Sequence, residues 1–417
     1  MIVKPFRGLR PREDLASRIP SYPYDVVTSE EARQIAAGDP YTFLHVVKPE
    51  IDLDAEIDPY HDRVYATAAR NFTSMVENGW LVRDEAPSYY VYRLTLDGRA
   101  QTGLVGATAV RDYEEGRIKR HERTRPEKEN DRVRLNDTIG AHPGIVFLAY
   151  NGLPEINALL AGVVAREPQV RFTAPDGIAH ELWAVADPAV VSRIEVLFRH
   201  VRVAYIADGH HRAAAAARVS AERVARSGEV PEEAPARHFL AAFFPGDQLR
   251  ILEYNRVVRD LNGLDPEELV ARIRDAGFHV KAGFRAKRPA TPETFGMYVQ
   301  QAWYQLAPQA HLVPREDPVR RLDVQILTER ILQPILGVGD LRTDRRVEFV
   351  GGIRGVAELE RLVDSGQHAV AFALHPTRME DVMMVADAGL VLPPKSTWFE
   401  PKLRSGMVVQ LLDGEAL

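Results

Sequence analysis

With 417 residues, 45% hydrophobic and 27% charged, the chain has an average globular composition and enough length for two or three interlocked units. Its 53 Lys and Arg against 59 Asp and Glu give a net charge of −6, which argues against a dedicated nucleic-acid binder, whose surface must be positive to displace counter-ions from phosphates. The absence of cysteine removes disulfides, thiolate metal sites and cysteine nucleophiles and fits a reducing cytoplasm, while no signal-peptide stretch and no apolar run of about 18 residues predicts export or a membrane span.

In chain order, the first sixty residues read as short strands and loops broken by Pro and Gly. Asp58-Pro59 predicts the opening of a helix, with Val64, Ala68, Phe72 and Val76 recurring every four residues and Gly79 at its C-terminal cap. Tyr89–Leu96 and residues 99–110 predict a hairpin over Asp97-Gly98, a pair suited to a type I′ turn. A further turn at Glu115-Gly116 returns the chain through 117–122, so 89–122 reads as an antiparallel meander. Residues 123–140 are highly charged and helical in part. The apolar run 201–207 has the length of a buried strand, and Ala213 onward reads as a long alanine-rich helix. Asp265-Pro266 predicts the start of another helix that closes at Gly277. Residues 322–332 and 356–363 are also helical in pattern, and the tail LVLPPKSTWFEPKLRSGMVV is loop before a last strand. The expected fold class is α+β, a mixed or antiparallel sheet with helices. It divides into an N-terminal segment 1–88, a catalytic core 89–260 and a C-terminal segment 261–417 packing back on the core.

The chemistry concentrates in YIADGHHR, residues 205–212. A strand ending at Asp208, a tight turn at Gly209 and a helix starting near His210 would present uncapped amides and the positive end of a helix dipole to an anion. His210, His211 and Arg212 add donors, and Asp208 is placed to hold a magnesium ion that bridges phosphate oxygens. The plainer reading is a carboxylate N-cap followed by surface His and Arg. Zinc is disfavoured, because adjacent helical histidines point about 100° apart and no H-E-x-x-H or thiolate set accompanies them. Neither a G-x-x-x-x-G-K-[ST] loop nor a G-x-G-x-x-G fingerprint occurs.

Taken together, KPFRGLRP, YPYDVV, YTFLHVVKPE, RHERT with EKENDR, YIADGHHR, FVGG and PPKSTWFEPKL make the chain resemble, nearly end to end, the bacterial domain-of-unknown-function family numbered ten-fifteen. The D-G-H-H-R element is also similar to the phosphate loop of the ParB/sulfiredoxin-like superfamily, in which free-serine kinases carry a similar motif. That resemblance implies a strand–DGHHR–helix core and phosphoryl transfer from ATP or ADP, with Mg²⁺, to the hydroxyl of free L-serine. Sulfiredoxin-type repair needs a cysteine where this chain has His210, and ParB-type DNA binding needs a basic helical domain. A nucleotide-binding regulatory protein without turnover and a nucleotide phosphohydrolase are the alternative functions.

For the kinase, Glu122 with His121 beside it is the candidate base, and Gly209, His210, His211, Arg212 and Lys395 are the candidate phosphate ligands. Arg120, Arg123, Arg125 and Lys128 suit phosphate or carboxylate recognition, though a solvated charged loop explains them as well. Tyr24-Asp25, after Pro23, binds substrate or braces its loop. Trp398 and Phe399 fit a loop anchor better than a stack on adenine, and Gly351-Gly352 is a close approach to a ligand or a turn. Asn255, Arg256 and Asp323 have no assigned role. Nucleotide and serine are the expected partners, with no nucleic acid and no membrane.

Overall fold

In the computed structural model, which describes residues 1–228, 230–415 and 417, Asp97 and Gly98 both take positive φ, 52° and 74°, and close the expected hairpin with Leu96 opposite Arg99. That hairpin lies within the sheet of one compact unit, Met1–Leu249 with Pro401–Leu417; Arg250–Glu400 forms a second. These boundaries fall at 249 and 400 rather than at 88 and 260. The first strand explains why 1–88 does not stand apart: Val3 and Lys4 pair with Thr108 and Ala107.

The strands of the larger sheet are β1 (Val3–Lys4), β2 (Tyr89–Leu96), β3 (Arg99–Ala109), β4 (Ile118–Lys119), β5 (Val146–Tyr150), β6 (Val170–Thr173), β7 (Ala179–Val185), β8 (Ala204–Asp208) and β9 (His238–Pro245). Among the described residues they form one nine-stranded sheet in the order β4-β8-β5-β9-β3-β2-β7-β6, with β1 paired to β3. Parallel pairs (β4/β8, β5/β9) mix with antiparallel ones, so the fold is α+β as expected. β5 and β9 are buried along their whole length, which is why they read as unbroken apolar runs rather than as alternating patterns.

The meander does not extend past the hairpin. After β3 the chain makes a short helix, Val110–Glu114, turns at Glu115-Gly116, and joins β8 in parallel at the sheet edge. Strand pairing at long sequence separation decided this, and no local pattern carries it.

The larger unit's longer helices are α1 (Ser29–Ala36), α2 (Asp62–Glu77), α3 (Pro126–Ile139), α4 (Pro154–Val164), α5 (Pro188–Phe198) and α6 (His210–Ser227). α2 starts at Asp62 rather than at Asp58, whose carboxylate instead accepts from the Tyr60 amide at 2.9 Å in a turn. Val64, Ala68 and Phe72 are buried, but Val76 is exposed and Met75 takes its place. A four-residue repeat drifts about 40° per step around a helix of 3.6 residues per turn, so its fourth member leaves the face. α3 fulfils the helical expectation for 123–140 and ends at Gly140, whose φ of 63° forms a left-handed cap.

α6 sets Ala213 and Ala216 into the sheet core and Ala215 and Val219 against Val133 of α3. Arg218 to Glu129 (3.1 Å) and Arg223 to Asp137 (3.0 Å) tie the two helices along their length. Small side chains allow this close approach, so the start of α6 is fixed against the segment that precedes α3.

The second unit holds a six-stranded antiparallel sheet built from β10 (Tyr254–Val258), β11 (Phe278–Ala282), β12 (Phe295–Val299), β13 (Ala302–Pro308), β14 (Val347–Gly351) and β15 (Val370–Ala373), ordered β11-β13-β12-β15-β10-β14. Asp265 caps the helix Pro266–Asp275 in a capping box with Glu268, and Gly277 follows with φ 91°. The pattern at 322–332 resolves into a helix, Asp323–Leu327, followed by a π-helical turn, Thr328–Leu332, and Gly355–Asp364 covers the pattern at 356–363. Arg250–Leu252 pairs antiparallel with Trp398–Glu400 where the chain enters and leaves this unit. No helix among the described residues is long and apolar enough to cross a membrane.

Candidate functional site

β8 ends in an irregularity between Ile206 and Asp208 where its register with β5 shifts. Such a bulge re-aims the next side chain, here Asp208. Gly209 follows with φ 96° and ψ 33°, and α6 begins at His210 with no side chain capping its first turn. A Cβ at Gly209 would lie 3.0 Å from the guanidinium carbon and Nε of Arg212. Glycine is therefore required here for both conformation and space.

Arg212 folds back over that glycine instead of reaching out. Its Nη1 donates to the Ile145 carbonyl and its Nη2 to Asp208, while its buried Nε has no partner among the described residues. The second Asp208 oxygen accepts from Lys402 Nζ at 2.6 Å. Burial alone would raise the Asp208 carboxyl; Lys402 and Arg212 outweigh it and hold the group well below the usual carboxylate range.

The carboxylate expected to place Mg²⁺ thus has a cation on each oxygen, and among the described residues no cluster of three or more His, Asp or Glu forms a metal cage. These residues do not fit a resident Mg²⁺ at Asp208.

The two motif histidines bind the RHERT segment. His211 Nε2 accepts from the Arg125 amide at 3.0 Å, which fixes a neutral ring with its proton on Nδ1. His210 Nε2 faces the His121 amide at 3.5 Å, and its Nδ1 lies 3.8 Å from Glu122 Oε2. The His210 and His121 rings meet edge to face at 4.5 Å. Both are buried, and burial pushes His121 down to about 4 and His210 well below its ordinary value. The Glu122 side chain is 63% exposed. The structure therefore brings Glu122, His121, Asp208, Gly209, His210, His211 and Arg212 to one helix start.

Tyr24 and Asp25 reach the same place. The Arg132 guanidinium lies 3.9 Å from the Tyr24 ring centre, and burial lowers the pKa of His211 against the pull of the Asp25 carboxylate. A cavity of about 20 Å³, lined by Tyr24, Arg132, Asn136, His142, Arg212 and Ser405, has room for one water. Arg120 is exposed and packs on Tyr113, Arg123 is exposed, and Lys128 sits 5.4 Å from the Tyr60 ring centre.

Lys395 belongs to the second unit, 5.5 Å from the Tyr254 ring centre and with φ 54°. In that unit Phe399 is buried, Trp398 packs on Tyr254, and a Cβ on Gly351 would meet the Trp398 ring at 3.0 Å. Trp398 and Phe399 are anchors, and the glycine pair makes room for protein side chains. Asn255 and Arg256 are fully buried in β10; burial lowers Arg256 to about 9 and raises Asp323 to about 7.

Sequence reasoning missed Lys402 and Arg404. Arg404 is buried, donates to Asp176 and stacks 3.9 Å from the Tyr22 ring centre. Lys402 lies in the same PPKSTWFEPKL motif as Lys395.

A family model described as "Protein of unknown function (DUF1015)" matches residues 3–325. No protein of curated function matches the chain. Among solved structures, "Free serine kinase in complex with AMP" is similar at 13% identity and a TM-score of 0.35, over 71% of this chain and 86% of that one. A conserved hypothetical protein from Pyrococcus furiosus gives 14% and 0.34, over 74% and 95%. "SbnI with C-terminal truncation from Staphylococcus aureus" gives 11% and 0.38, over 74% and 87%.

Proposed function

We propose that this chain, which belongs to the DUF1015 family, is a nucleotide-dependent phosphotransferase that moves a phosphoryl group from ATP or ADP to the hydroxyl of free L-serine. The observation that carries the reading is the start of α6: an uncapped first turn behind a left-handed glycine, with an accessible carboxylate, Glu122, held 3.8 Å from His210 beside it. Uncapped amides at a dipole's positive end receive phosphate oxygens, and a carboxylate beside them can take the acceptor's proton. Serine as acceptor rests on the resemblance of D-G-H-H-R to free-serine kinases.

In this reading the serine hydroxyl oxygen bonds to the terminal phosphorus as the bond from phosphorus to the departing nucleotide oxygen breaks. The hydroxyl proton passes to the Glu122 carboxylate. The amides of His210 and His211 hold phosphate oxygens, and His210 Nδ1–H orients Glu122. Mg²⁺ would arrive bound to the nucleotide rather than wait in a resident site.

Incubation of purified protein with ATP or ADP, Mg²⁺ and mixed amino acids, read by mass spectrometry, tests this. Serine-dependent O-phosphoserine supports the reading. Hydrolysis indifferent to amino acids favours a phosphohydrolase, and binding without turnover favours a regulatory role; either result sinks it.

A further inference from the structure

We infer that Arg256 receives the carboxylate of a small acidic ligand in the second unit, at a site roofed by the loop 393–397. The inference is independent of the start of α6. Arg256 sits in the middle of β10, opposite Phe349 of β14 and Phe372 of β15, with none of its surface exposed. Among the described residues its hydrogen bonds go to backbone carbonyls and none goes to a carboxylate. Two acids near it in sequence or across the loop are engaged elsewhere: Glu253 pairs with Arg288, and Glu400 accepts from Trp398 Nε1 at 2.8 Å. Burial lowers the guanidinium to about 9, against the opposing pull of Tyr254. A sealed guanidinium without a counter-ion is costly, so buried charges are normally paired.

The geometry says which anion would pair with it. Nη1 donates to the Tyr254 carbonyl, and the guanidinium carbon lies 5.1 Å from the Phe349 ring centre. Those contacts use one corner and one face. The edge that carries Nε and Nη2 side by side is the one that meets both oxygens of a carboxylate in a two-bond fork. On that edge Nε is buried without a partner among the described residues, and Nη2 reaches the Pro394 carbonyl at 3.4 Å. The roof holds its own shape, since Ser396 Oγ donates to the Pro393 carbonyl at 2.7 Å and Thr377 Oγ1 to the Ser396 carbonyl at 2.9 Å. Lys395, between them, is exposed at φ 54° with Nζ 5.5 Å from the Tyr254 ring centre. Lifting Pro394 from the edge therefore forfeits one long hydrogen bond and admits the ligand beneath a second cation. A single negative charge balances the one sealed positive charge, whereas a doubly charged phosphate would lose far more hydration on entering the same site.

Titration of the full chain with acetate and propionate tests the assignment, with acetamide and propionamide as uncharged controls and sodium chloride holding ionic strength constant. The Nε–H resonance of Arg256, identified by its loss in Arg256→Lys, and calorimetry are the two readouts. Both acids should shift that resonance saturably, and neither the amides nor chloride should. Arg256→Gln should weaken binding at least tenfold, as should Arg256→Lys, which keeps the charge without the fork, and Lys395→Ala should weaken it about threefold. The wild-type titration reads the site even where an Arg256 variant fails to fold. A wild-type resonance indifferent to both acids overturns the inference, as does unchanged affinity in a folded Arg256 variant or inorganic phosphate that binds more tightly than either acid.

Discussion

His211 Nε2 accepts a 3.0 Å hydrogen bond from the backbone amide of Arg125, so a motif histidine that looks like a phosphate ligand is first a clasp for another segment. The bond needs an unprotonated Nε2, and it ties α6 to the stretch that carries Glu122.

Acid should loosen this arrangement. Burial lowers His121 and His142 from 6.5 to about 4, and it also lowers His210 and His211. The unfolded chain therefore binds more protons than the folded one between about pH 6.5 and 4, so stability rises with pH across that window. It is complete above about 6.5 and is lost as pH falls toward 4, at about 1.4 kcal/mol for each tenfold difference in proton affinity between the folded and unfolded imidazole. Denaturant unfolding at several pH values should show a fall of several kcal/mol; a flat profile would mean the imidazoles are not held neutral.

Asp208→Asn should destabilise the protein. The substitution keeps the shape but leaves Arg212 and Lys402 without their shared carboxylate. Breaking such a cluster costs ~3 kcal/mol, and Lys402→Gln in the same chain should recover part of the loss. Urea midpoints for the two single variants and the double variant give the coupling; strictly additive losses would dissolve the cluster.

Glu122→Gln separates chemistry from folding. With its side chain 63% exposed, its loss should change stability by less than about 0.5 kcal/mol. Turnover should fall by ~10²–10⁴ if it takes the hydroxyl proton. Phosphoserine formation at the wild-type rate would remove Glu122 from that role.

Gly209→Ala meets two obstacles, a φ of 96° and the Arg212 guanidinium 3.0 Å from the new carbon. The backbone conformation alone costs about 1–2 kcal/mol, and displacement of Arg212 adds to it. A variant with wild-type stability and wild-type pyrophosphate affinity would contradict the crowding described at this turn.

The local signals in the sequence were legible where one short segment decides its own shape. Asp97-Gly98, Asp265-Pro266 with Gly277, and the strand–glycine–helix at 204–210 all behave as their residue types dictate. Where distant segments compete, the pattern failed: Ile118–Lys119 reads as the third strand of a meander but finds its partner in β8. The same limit hid the site's electrostatics. Arg212 is an outward donor in any helix-start drawing, and only the Ile145 carbonyl and Asp208 turn it inward. Lys402 is one of eight lysines until Asp208, 194 positions away, claims it.

The larger unit is written in two pieces, and its shorter piece, 401–417, follows the whole of Arg250–Glu400 in the chain. Val409 pairs with Leu9, and Gln410–Leu411 with Ala141–His142, so the beginning and middle of the unit wait for residues made much later. During synthesis, the Asp208 carboxylate must stand without Lys402 until the intervening unit has left the ribosome. A nascent chain stalled before residue 401 would lack both the Lys402 contact to Asp208 and the pairings of Val409–Leu411, so the larger unit closes only with the final stretch.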